Sequence, residues 1–186
     1  MSLRVIAGEL KGRKLRSASG LRTRPTAERT REAIFNILGS TVQQAHVLDL
    51  FAGTGAYGIE ALSRGAASVL FIEVDRQACV VLTGNIQACG MADKARVLRW
   101  DASRNLNCLR THEPRFQLVF MDPPYGRGLV EPALSHLHQA RCATDGARLV
   151  IEHDKDDPLP EPAMPYRFHD QRRYGRTLVS FLTYVL

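Results

Sequence analysis

The chain reads as a doubly wound α/β domain built on a mostly parallel sheet. Three observations predict this fold. Beyond residue 40, short apolar runs alternate with segments of helical period. Glycines such as Gly65 and Gly90 stop those helical segments. One apolar run passes directly into a glycine-rich turn, Asp49 to Gly58, that opens a helix. In sheets of this kind ligands bind beyond the carboxyl ends of the strands.

Taken in order, Arg4–Ala7 and Arg13–Arg16 read as short strands around a turn with Gly8 and Gly12. Ala27–Leu38 has helical period, with Ile34, Ile37 and Leu38 on one stripe. Then follow strand Val47–Leu50, helix Tyr57–Arg64, strand Ser68–Val74, helix Arg76–Cys89 and strand Arg96–Trp100. Helix Ser103–Leu109, strand Leu118–Met121, helix Leu129–Arg141 and strand Arg148–Glu152 complete the alternation. Residues 153–165 read as a loop, and Thr177–Val185 as a final strand paired with one near Tyr166–His169.

At 186 residues and 45% apolar composition, the chain has the size and core of one ordinary domain. No apolar run is long enough to span a membrane, and the first residues lack a secretory signal, so a soluble, cytoplasmic monomer is expected. The four cysteines, Cys79, Cys89, Cys108 and Cys142, lack zinc-ligand spacing, and no metal is expected. The net charge of +6 is uneven. Residues 1–31 hold nine of the 25 Lys and Arg but two of the 19 Asp and Glu, leaving sixteen and seventeen elsewhere. A basic hairpin and helix over 1–38, contacting a polyanion, therefore precedes a catalytic domain over 39–186.

The chemistry concentrates at strand ends. Gly53, Gly55 and Gly58 match the G-x-G-x-x-G dinucleotide fingerprint, and Glu73 follows where a ribose-binding acid belongs. Asp49 argues against a pyrophosphate, which its carboxylate would repel. S-adenosylmethionine carries an ammonium and a sulfonium instead, which a carboxylate attracts. Asp101, ending the third strand of the alternation, suits the adenine amino group. The candidate cofactor-binding residues are Asp49, Phe51, Gly53, Gly55, Glu73, Asp101 and Ala102.

The most specific segment is Asp122-Pro123-Pro124-Tyr125 after the fourth apolar strand. Successive prolines fix the backbone and aim the carboxylate and carbonyls. An exocyclic amine of a base is a poor nucleophile because its lone pair is delocalised. With Asp122 and the Pro123 carbonyl accepting its hydrogens, the nitrogen pyramidalises toward an incoming methyl. Tyr125 can stack on the base, worth roughly 1–3 kcal/mol. Asp122, Pro123, Pro124 and Tyr125 are the candidate catalytic residues.

These motifs resemble the class I aminomethyltransferases, with their D/N/S-P-P-Y/F/W segment. The whole chain is more similar still to the RsmD type, bacterial small-subunit (16S) ribosomal RNA guanine-N2 methyltransferases. Arg4-Val5-Ile6-Ala7-Gly8, Lys11 to Leu15, Thr23-Arg24-Pro25-Thr26, Arg31 to Leu38 and Tyr174-Gly175-Arg176-Thr177 carry that resemblance. It implies a seven-stranded, Rossmann-like sheet with an antiparallel last strand. It also implies a guanine presented by the small ribosomal subunit, whose RNA and proteins would be the partners. Tyr57, inside the glycine turn, is bulkier than the family's usual residue there.

A DNA adenine-N6 enzyme would share the catalytic segment, but this chain has no room for a target-recognition region. A glutamine-N5 enzyme usually carries Asn where Asp122 stands. A nicotinamide oxidoreductase leaves Asp49 and Asp122–Tyr125 unexplained, and a non-catalytic RNA-binding module leaves the glycine turn unexplained. Arg4, Lys11, Arg13, Lys14 and Arg24 are the candidate RNA phosphate contacts, and Arg172, Arg173 and Arg176 would add to them if the last hairpin borders the active face.

Overall fold

In a computed structural model, which describes residues 3–17, 25–157, 159 and 165–186, the alternation folds into a single seven-stranded sheet. The elements are α1 (Pro25–Leu38), β1 (His46–Leu50), α2 (Ala56–Ser63), β2 (Ser68–Glu73), α3 (Arg76–Ala88) and β3 (Ala95–Arg99). They continue as β4 (Phe116–Met121), α4 (Val130–Ala140), β5 (Ala143–Asp154), β6 (Tyr166–Tyr174) and β7 (Thr177–Tyr184). Strand order is β3-β2-β1-β4-β5-β7-β6. β1 to β5 pair in parallel, while β7 runs antiparallel to both β5 and β6. The order reverses between β1 and β4, the position at which such sheets open a crevice at their carboxyl edge.

Alternation along each strand sends side chains to two cores. On one face Val47, Phe71, Phe120 and Val150 pack against Ile34 and Phe35 of α1, Ile59 of α2 and Leu82 of α3. On the other, Leu48, Ile72, Val119 and Ile151 meet Ala133, Leu134 and Leu137 of α4. Among the described residues no helix is long and apolar enough to cross a membrane.

Several expectations are corrected. No α-helix forms over Ser103–Leu109; only a 3-10 turn, Asn107–Leu109, is present. Asn105 Oδ1 accepts the Asn107 amide, which in a helix would donate to the Ser103 carbonyl, so a side chain competes for a donor the helix needs. Ile37 is 46% exposed; the buried stripe of α1 is Thr30, Arg31, Ile34, Phe35 and Leu38. β5 starts at Ala143, earlier than expected, and its register with β4 shifts between Phe116 and Leu118. It also continues to Asp154, into the expected loop, and β6 extends to Tyr174 across its own register shift.

The N-terminal hairpin reduces to one antiparallel bridge, Arg4 to Lys14. The reason lies in α2. Glu60, fully buried, accepts the Ile6 and Ala7 amides at 2.7 and 3.0 Å. Ser63 accepts from Leu10 and donates to the Ala7 carbonyl. The Ala7 amide, which a longer ladder would use, is committed to a helix side chain instead. Asn85 of α3 bonds the Arg16 backbone in both directions and donates to the Thr54 carbonyl in the glycine turn. Leu3, Val5 and Leu15 complete the burial within the α1–α3 core.

Candidate active site

Four carboxylates gather near the carboxyl edge of the sheet. Asp49 is paired in register with Phe71 and Phe120. Glu73 closes β2, Asp122 follows Met121, and Glu152 follows Ile151, the partner of Met121. Phe120 and Val150 share the α1–α3 core. Two residues further along, Asp122 and Glu152 are therefore neighbours on the same face, their strands roughly 4.8 Å apart.

The turn after β1 is held by two of these acids. Asp49 accepts the Gly58 amide at 2.9 Å, and Glu73 accepts the Gly53 and Asp75 amides at 2.7 Å each. Phe51 sits at φ 59°, a left-handed conformation that a bulky residue adopts only where its surroundings enforce it. Gly55 has φ 85°. At Gly58 a Cβ would lie 2.2 Å from the Phe71 ring, so glycine is what lets α2 settle onto β2.

Burial raises the Asp49 carboxyl to about 8, opposed by the Gly58 hydrogen bond and assisted by the charge of Glu73. Asp122 is raised well above the ordinary carboxylate range by burial first, then by Glu152 and Asp49. Among the described residues neither Asp49 nor Asp122 has an ion-pair partner. Two carboxyls held back from ionising, with no ion-pair partner among the described residues, would ionise against a positively charged ligand, which suits the crevice to one. Glu73 retains lone pairs for ribose hydroxyls beyond the two amides it accepts.

The remaining candidates fall in varied surroundings. Asp101 lies two residues past β3, bound to Ser103 and paired with Arg104 at 3.2 Å. Ala102 is buried, its carbonyl 3.1 Å from His136 Nδ1. Pro123 is buried, while Pro124 and Tyr125 are exposed. Arg4, Lys11, Arg13 and Lys14 are all exposed. Arg4 pairs with Glu28 at 3.4 Å, and the Arg13 guanidinium donates to the Ala88 carbonyl. Arg24 lies outside the described residues. Arg172 pairs with Asp170, and Arg176 with Asp154 and Asp156.

Sequence reasoning missed Glu152 and the part played by Tyr57. The Glu152 carboxylate accepts both the Tyr57 hydroxyl at 2.5 Å and the Tyr125 hydroxyl at 2.6 Å. Tyr57 stacks on Phe120 with ring centroids 5.1 Å apart. The pattern was available in the sequence: Glu152 follows Leu149-Val150-Ile151 as Asp122 follows Val119-Phe120-Met121.

A glycine turn and strand-end carboxylates around the switch point of this sheet define a Rossmann-like class I methyltransferase domain. The comparisons place it more narrowly. The family model described as "Conserved hypothetical protein 95" matches residues 3–183. "Ribosomal RNA small subunit methyltransferase D" of Escherichia coli (strain K12) is 36% identical over 174 residues, covering 94% of this chain and 86% of that protein. Its Haemophilus influenzae counterpart is 36% identical over 160 residues, covering 86% and 83%. The solved structure of Escherichia coli yhhF aligns with a TM-score of 0.85 at 30% identity, covering 100% of this chain and 99% of that one. The chain belongs to the RsmD-type methyltransferase family.

Proposed function

We propose that the protein transfers a methyl group from S-adenosylmethionine to the exocyclic N2 amine of a guanine in small-subunit ribosomal RNA. The observation that carries this reading is Asp122. Its half-buried carboxylate has no cation partner among the described residues and stands just past the end of β4, stiffened by Pro123 and Pro124. The names of the similar rRNA methyltransferases support the substrate class.

S-adenosylmethionine, when bound, supplies an electrophilic methyl group on a cationic sulfonium. Asp49, Phe51, Gly53, Gly55, Glu73, Asp101 and Ala102 would hold it, the acids supplying negative charge and hydroxyl acceptors. Asp122 and the Pro123 carbonyl accept the hydrogens of the amine and orient its lone pair. Asp122, whose proton affinity burial has raised, then takes the proton that the methylated nitrogen sheds. Tyr125 stacks on the base. Residues 1–38, with Arg4, Lys11, Arg13, Lys14 and Arg24, grip phosphates, and residues 39–186 carry the chemistry.

The test is transfer from labelled S-adenosylmethionine to small ribosomal subunits lacking modification, with Asp122→Ala in parallel. Labelled N2-methylguanosine from the wild type and none from the variant is expected. Label in DNA or protein, with RNA untouched, would overturn the substrate.

A further inference from the structure

Glu152 stands beside the proposed catalytic carboxylate, yet nothing in the reaction as described above uses it. Its charge faces Asp122, and among the described residues no Lys or Arg pairs with it. It is held by two phenol hydroxyls, and the two differ in character. Tyr57 is fixed, stacked on Phe120 and packed near Phe35. Tyr125 is 40% exposed and is followed by Gly126 and Gly128, both at positive φ with open space around them. Its hydroxyl has a second neighbour, Thr177 Oγ1, at 3.3 Å. Of the two donors on Glu152, Tyr125 is the one that can leave without disturbing the core.

Once Tyr125 turns its ring toward a base, Oε1 of Glu152 becomes an empty acceptor next to Asp122. The crevice then presents two acceptors side by side on adjacent strands. The Watson–Crick edge of guanine carries donors side by side, N1–H and the N2 amine. Adenine pairs its amine with a bare N1 acceptor, whose lone pair would face a carboxylate. We propose that Glu152 accepts the N1–H of the substrate guanine in exchange for the Tyr125 hydroxyl, and so selects guanine over bases that lack that hydrogen. This rests on the guanine-N2 reading above and adds to it a specificity-determining residue. Tyr57 keeps the second oxygen occupied and the carboxylate aimed throughout.

The experiment replaces the guanosine methylated by the wild type with 2-aminopurine riboside, which keeps the amine but has an acceptor at N1. Wild type is expected to prefer guanosine by roughly 100-fold or more in kcat/KM, as sites built to pair a substrate donor do. In Glu152→Gln, whose amide can donate to N1 as well as accept, that preference should fall to about tenfold or less. A melting curve shows that the variant is folded. A wild type that methylates both substrates equally overturns the proposal whatever the variant does. A folded Glu152→Gln with an unchanged preference also overturns it. Absence of N2-methylguanosine from the unsubstituted substrate overturns the reading beneath it, and the inference with it.

Discussion

Glu60 and Arg31 face each other at 3.8 Å with both side chains buried, yet Arg31 Nε makes no hydrogen bond. Glu60 is satisfied by others, accepting the Ile6 and Ala7 amides and Arg64 Nε at 2.7 Å. Arg31 Nη2 donates to the Arg4 carbonyl at 2.6 Å. Removing Glu60 leaves a buried guanidinium and two backbone amides unmatched. Glu60→Ala is expected to cost about 3–5 kcal/mol, read by chemical denaturation. A loss below about 1 kcal/mol would show that water replaces the carboxylate.

Asp49 gives a prediction of opposite sign. Its folded value of about 8 lies above the ordinary 3.8, so the folded state binds this proton more tightly than the unfolded chain. That contribution to stability is complete below the ordinary value and is lost as pH rises through the folded one. Asp49→Asn keeps an acceptor for the Gly58 amide and removes the charge. At alkaline pH it should gain on the order of 1–2 kcal/mol, about 2–4 °C in Tm per kcal/mol. S-adenosylmethionine binding, followed by calorimetry, should weaken in the same variant.

The pH–rate profile should show the raised Asp122. Transfer needs this carboxylate ionised, so kcat should fall on the acid side with a midpoint above the usual carboxylate range. Burial sets most of that displacement, and Glu152 and Asp49 add to it. In Glu152→Gln one negative neighbour is gone, and the midpoint should move to lower pH. A midpoint that stays in place would mean that the two carboxylates do not interact during turnover.

Lys11 and Lys14 are exposed, and no ion pair holds either among the described residues. Reversing both to Glu should leave stability within the small range of surface changes, about 0.5 kcal/mol. RNA affinity should fall, and the salt dependence of binding should flatten by about 1 per lost phosphate contact. An unchanged salt slope would move the RNA surface elsewhere.

The central strands β1, β2 and β4 were legible because each is an apolar run with few competing features. Leu118–Met121 is bounded by the chemistry that follows it, and Asp49, Glu73 and Asp122 declare themselves as acids at such ends. What periodicity does not carry is partnership across distance. Ser103–Leu109 has helical composition, yet Asn105 captures the Asn107 amide. Ile6 and Ala7 look like ladder residues until Glu60, over fifty positions away, takes their amides. Tyr57 reads as an oversized residue in a glycine turn; only the folded chain brings its hydroxyl to Glu152, 95 positions on.

The carboxamide of Asn85 ties the backbone of Arg16 to the Thr54 carbonyl. An engineer who trimmed the first seventeen residues to obtain a minimal catalytic sheet would not be removing an accessory. The cut would strip Glu60 of two donors, Asn85 of the Arg16 backbone and the α1–α3 core of Leu3, Val5 and Leu15. The leading segment is a foundation course of the building, laid under the turn that the cofactor would rest on.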